Sequence, residues 1–103
     1  MPADPRFSGP SPDLIRIEPL GVLTACYDRL SGRTHLLVEP APEILALLAE
    51  RAMTHGELLA ELSARYDLAE EDGGIEAALS ARLAELIEAG LAVELREKAA
   101  PDA

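Results

Sequence analysis

Apolar residues fall in two regimes along the chain. The first third carries short, β-rich runs, and the remainder carries longer runs at helical spacing. Leu14-Ile15-Arg16-Ile17 is the first β-rich run and is expected to stop at Pro19. Leu20 to Tyr27 is the second. Asp28 to Arg33 then has turn chemistry. Gly32 can take a positive φ, and Asp28 and Ser31 can bond back to the local backbone. Thr34-His35-Leu36-Leu37-Val38 returns as a third strand, ending at Glu39-Pro40. Strands this close in sequence most simply form an antiparallel meander. Both faces of the third strand are fairly apolar, so alternation alone does not say which face meets the core.

Beyond Pro40, the period changes. Pro42 suits the first turn of a helix, and Ile44, Leu47 and Leu48 share one face that Leu45 widens. Thr54-His55-Gly56-Glu57 matches a capping box, so a second helix starts after Thr54, with Leu58, Leu59, Leu62 and Tyr66 inward. An acidic stretch from Glu70 to Gly74, expected to be flexible, precedes a third helix. Ile75, Ala78, Leu79, Leu83, Leu86 and Ile87 recur there at helical spacing, and Gly90 caps its C-terminus. Leu91 to Leu95 alternates and is expected to add a short strand or a packed tail.

The order predicts an α+β domain, a three-stranded antiparallel sheet followed by three helices, in the outline of a winged helix-turn-helix. Residues 13–95 form that domain. Its core is expected to join Leu36 or Leu37 with Ile44, Leu48, Leu62, Leu83 and Leu86. Residues 1–12 hold Pro2, Pro5, Pro10 and Pro12, with Phe7 as the one large apolar residue. They are expected to be a flexible arm that can be removed with little loss of stability. Residues 96–103 are expected to be a frayed tail.

Composition narrows the chemistry. The chain is 49% hydrophobic but only 3% aromatic, so Leu and Ala must fill the core, which suits helices better than a sandwich. The net charge of −10 speaks against nucleic acid, which is bound by neutralising Lys and Arg, and against an anionic membrane surface. The longest apolar run, Ile44 to Ala49, is too short to span a bilayer. The N-terminus has no signal-peptide pattern, and the expected location is the cytoplasm. Cys26 is the single cysteine, so no intrachain disulfide can form, and it reads as a packing residue. His35 and His55 lie on different elements, and two ligands without a third do not hold zinc. There is no phosphate loop or nucleophile elbow. No enzyme activity and no cofactor are expected.

The stretch Tyr27-Asp28-Arg29-Leu30-Ser31-Gly32-Arg33-Thr34-His35-Leu36-Leu37 resembles the Tyr-Asp…Ser-Gly-x-Thr-His-Leu-Leu hairpin of PqqD-like proteins. It is most similar to the PqqD-related peptide chaperones of HPr-rel-A systems. The Ala41–Leu48 helix, Thr54-His55-Gly56-Glu57-Leu58, Ala64-Arg65-Tyr66 and Leu86-Ile87-Glu88-Ala89-Gly90-Leu91 resemble the family in the same order. The chain departs from many relatives in lacking an early Trp and in its proline-rich arm. The resemblance implies a recognition element for ribosomally made, post-translationally modified peptides. Such a domain binds a precursor's leader as an added strand and presents the precursor to a modifying enzyme. On this chain the implied site is the edge Thr34, His35, Leu36, Leu37 and Val38, with a groove lined by Ile75, Leu79, Arg82 and Leu83. Independently, an edge strand exposes unpaired N–H and C=O groups, and His35 to Val38 carries no fixed charge to block them. The alternatives are a winged-helix DNA-binding regulator and a structural subunit of a larger enzyme complex. Arg82 is the only basic residue between Ile75 and Ala89, against Glu76, Glu85 and Glu88.

Overall fold

The computed structural model describes residues 5–66 and 74–95. The expected frayed tail 96–103 and most of the acidic stretch before the third helix lie outside these residues. The described elements are β1 (Arg6–Ser8), β2 (Ile15–Leu20), β3 (Leu23–Asp28), β4 (Arg33–Val38), α1 (Ala41–Glu50), β5 (Met53–Thr54), α2 (His55–Arg65), α3 (Gly74–Glu88) and β6 (Val93–Leu95). The domain is α+β. An antiparallel sheet in the order β2-β3-β4 precedes three helices, as the sequence predicts. No helix among the described residues is long and apolar enough to cross a membrane.

The local signals act as their chemistry dictates. Thr54 Oγ1 accepts from Glu57 N–H at 3.1 Å, and Glu57 Oε1 accepts from Thr54 N–H at 2.9 Å, closing the capping box. The Thr54 N–H, with Arg6 and Arg51 nearby, holds the Glu57 carboxyl below its usual range. At the end of α3, Gly90 takes φ +80°. Leu91 N–H then donates to Leu86 O at 2.8 Å, and Gly90 N–H to Ile87 O at 3.0 Å. This is a Schellman cap, with its apolar pair, Leu86 and Leu91, both buried. In the β3–β4 loop, Asp28 accepts from Leu30 N–H at 3.0 Å, and Ser31 Oγ accepts from Arg33 N–H at 3.2 Å.

Two expectations are corrected. Strand β2 does not stop at Pro19 but runs to Leu20, and Gly21 with φ +75° makes the turn to Leu23. Leu20 and Leu23 flank a two-residue loop, so they are the hydrogen-bonded pair that closes the hairpin. Alternation from there puts Pro19 at a position whose backbone groups face the open edge. Its missing N–H therefore costs no ladder bond.

The second correction concerns the arm. Arg6–Ser8 is a strand that pairs antiparallel with β5 on one side and β6 on the other, forming a second small sheet. Phe7 is buried opposite Met53, and Arg6 pairs with Glu57 at 3.2 Å. Just beyond, the chain passes close over α1. A Cβ on Gly9 would lie 3.2 Å from Leu48 Cβ. The prolines forbid helix there, but three residues between Pro5 and Pro10 suffice for a short central strand. The Leu91–Leu95 stretch supplies β6.

The core runs through one continuous cluster: Phe7, Cys26, Leu37, the inner residues of α1, Met53, Leu58, Leu62, Leu79, Leu83, Leu86 and Leu91. Of the two candidates on β4, Leu37 enters it at 8% exposure while Leu36 stands 62% exposed.

Replacing Leu83 by Ala should lower unfolding stability by about 2–5 kcal/mol in urea titration, as for a buried Leu. Phe7→Ala should cost about 3 kcal/mol, and deleting residues 1–9 should lower the melting temperature by several degrees. A Phe7→Ala loss of only a few tenths would mean that β1 adds no core.

Candidate functional site

The backbone parity of β2 carries across the sheet. Because Leu23 faces β2, the groups of Thr24, Cys26 and Asp28 face β4, where they meet Leu37, His35 and Arg33. The remaining β4 residues, Thr34, Leu36 and Val38, therefore turn their N–H and C=O groups outward. No described strand pairs with that side of β4. All three residues are exposed, and their side chains stand on the outer face of the sheet. His35 and Leu37 point the other way, toward the helical layer. His35 Nε2 is buried without a hydrogen-bond partner among the described residues.

The two edges of the sheet differ. On β2 the Ile15 N–H is already bonded to Pro12 O, and Pro19 has none, so Ile17 supplies the remaining outward donor. On β4 no proline interrupts the edge, no lysine guards it, and three donors alternate with acceptors. Among the described residues β2 is thus blunted, while β4 is left open.

The outer face is itself apolar. Leu20, Leu23 and Val38 form one cross-strand row, and Leu36 lies beside Ala25 in the next. Leu20, Tyr27, Leu36 and Val38 are all substantially exposed. The apolar residues on both faces of β4 were the signal for this, although they did not say which face meets the core.

The α3 residues of the expected groove do not join the β4 edge in an open surface. Leu79 is 0% exposed and Leu83 is also buried, so both belong to the core. α3 packs chiefly on α1 and α2, and α1 is the helix that meets β4. Ile75 and Arg82 are half-buried, and Arg82 donates to Glu85 at 2.7 Å. The helical period that marked Leu79 and Leu83 was a core period, and it could not show which inward positions stay accessible. Leu79→Asp would bury an uncompensated charge and should destabilise the fold rather than leave it intact.

An apolar cleft of about 200 Å³ lies elsewhere, between β2 and α1, lined by Pro12, Ile15, Ile17, Pro42, Leu45, Ala46 and Ala49. Its α1 wall is the stripe Pro42, Leu45, Ala46, Ala49, a second apolar face on a helix whose first face fills the core. The sequence hinted at it, since Ala41 to Ala49 has only Glu43 as a charged residue.

The remaining candidate groups have bland roles. Cys26 is fully buried, and burial, with Asp28 nearby, pushes its thiol up, which keeps it protonated and unreactive at neutral pH. His55 Nε2 lies 3.0 Å from Ser80 Oγ, tying the start of α2 to α3. No group of three or more His, Cys, Asp or Glu that could hold a metal ion occurs among the described residues.

In comparison with known proteins, no family model matches the chain, and no curated protein or solved structure matches it.

Proposed function

We propose that this protein is a non-catalytic, cytoplasmic peptide-binding adaptor. It captures the leader segment of a precursor peptide as a strand added to β4 and presents that precursor to a peptide-modifying enzyme. The observation that carries the reading is the open β4 edge. Thr34, Leu36 and Val38 offer alternating donors and acceptors beside exposed apolar side chains. The resemblance of the Tyr27–Leu37 hairpin to PqqD-like proteins supports the same reading. So does the order α1, β5, α2, α3, β6, which follows a winged helix with β1 taking a strand position in its small sheet.

The energetics set the scale. Each main-chain bond contributes about 1 kcal/mol net, and ordering a free peptide costs roughly 2–5 kcal/mol. The edge bonds alone therefore do not hold a complex. Two or three apolar leader side chains, each contributing about 1.5–3 kcal/mol on burial, must supply the rest. Leu36 and Val38 offer them a surface on the outer face. A micromolar affinity, near −8 kcal/mol, follows. The DNA-binding alternative finds little support, because Glu76, Glu85 and Glu88 dominate α3 and Glu85 engages its Arg82.

The test is titration of a fluorescent leader peptide, taken from a precursor reading frame beside the gene. Wild-type protein should bind it at micromolar concentration. Leu36→Pro removes an outward donor and should weaken binding at least about tenfold while the domain stays folded. Leu37→Pro removes a bond of the β3–β4 ladder and a buried side chain, so it should instead destabilise the sheet. A folded Leu36→Pro variant that binds like wild type would overturn the site. Incubation with the precursor alone should leave the peptide's mass unchanged, and a mass shift without a partner enzyme would contradict the non-catalytic reading.

A further inference from the structure

The β4 edge is complementary to itself. We infer that two copies of this chain associate by antiparallel pairing of β4 with β4, about a two-fold axis at Leu36. The inference stands on the edge itself and does not depend on the peptide reading.

The outward groups of β4 belong to Thr34, Leu36 and Val38, evenly spaced about Leu36. In an antiparallel pair centred there, Leu36 faces Leu36 of the second copy, and Thr34 faces Val38 in both directions. Three hydrogen-bonded pairs form, each exchanging two main-chain bonds. A slip of two residues in either direction leaves two such pairs. One slip opposes His35 to His35 and Arg33 to Leu37. The other sets Thr34 against Pro40, which has no N–H to give.

The centred register also matches charge. It brings Arg33 of each copy to the end where Glu39 of the other, the turn residue just past β4, leaves the strand. Both residues are exposed, and neither makes an ion pair among the described residues. On the outer face, Leu36 meets Leu36 at the axis with Ala25 on either side, and each Val38 lies beside a Thr34. The apolar rows of the two sheets thus become one surface. A two-fold interface repeats each favourable contact, which is what a self-complementary strand offers. An extended peptide of arbitrary sequence would satisfy the same main-chain groups but not the paired Arg33–Glu39 ends, so those ends point to a second copy. The interface is small and each chain carries a net charge of −10, so the dimer is weak and concentration-dependent. Pairing uses the groups that an added strand would need, so dimer and peptide exclude each other.

The test is sedimentation velocity of the full chain from low micromolar to near-millimolar concentration at physiological ionic strength. The wild type should pass reversibly from monomer to dimer. Arg33→Glu and Glu39→Arg, each alone, put two like-charge pairs in every dimer and should weaken association roughly tenfold. The double variant Arg33→Glu/Glu39→Arg restores opposite charges and should recover wild-type association to within a few fold. Arg33 also lies across from Asp28 within its own sheet, so the fold of each variant is checked by its melting curve. Glu39→Arg leaves that pair untouched and keeps the test valid if Arg33→Glu unfolds. A chain that stays monomeric throughout, or a dimer that neither single variant weakens, would overturn the proposal.

Discussion

Burial of α1 on more than one side is the constraint from which the rest of the structure follows. Ala41, Ile44, Leu45, Leu47 and Leu48 are all buried, a wider arc than a surface helix presents. The helix meets β4 and β1 on the strand side and α2 and α3 on the helical side. No single layer could cover it. The sheet needs α1 beneath Leu37 and Cys26, and α2 and α3 need it to bury Leu62, Leu79, Leu83 and Leu86. The short strand β1 closes the remaining side, with Phe7 and the close passage of Gly9 over Leu48.

This arrangement fixes which half of β4 is available. Once α1 draws Leu37 inward, the pleat sends Leu36 outward, and the two-residue turn at Gly21 sets the hydrogen-bond parity of the whole sheet. Side-chain burial and backbone direction are then coupled. The residues whose side chains leave the core, Thr34, Leu36 and Val38, are the same ones whose main-chain groups have no partner among the described residues. The edge is therefore both apolar and bond-hungry, which suits strand addition by a peptide and, as proposed, by a second copy. If both occur, the free concentration of the chain sets how much of the edge is open to a leader.

Much of this was legible from local chemistry. The Thr54–Glu57 box and the Gly90 cap each name a helix boundary through two hydrogen bonds, and Pro42 marks the first turn of α1 through its fixed φ and missing N–H; such signals do not depend on tertiary context. The hairpin at Ser31-Gly32 was equally local. What escaped depends on partners far away in sequence. Arg6–Ser8 is a strand only because Met53–Thr54 and Val93–Leu95 flank it, and three residues among prolines carry no periodicity. Pro19 ends a strand by default, yet here it sits where an edge strand needs no donor. Leu79 and Leu83 lie on the inward stripe of α3, but whether a stripe lines a core or a groove depends on how closely α1 and α2 approach. The choice between Leu36 and Leu37 was open for the same reason.

Backbone amide exchange along β4 tests the central claim most directly, measured residue by residue at protein concentrations where the chain is monomeric. The His35 and Leu37 amides, bonded to β3, should exchange slowly, and those of Thr34, Leu36 and Val38 should exchange fast. Saturating leader peptide should then protect Thr34, Leu36 and Val38 while leaving His35 and Leu37 as they were. Slow exchange at Thr34, Leu36 and Val38 in the free monomer, or no change there when peptide saturates the protein, would contradict the assignment of this edge as the working surface.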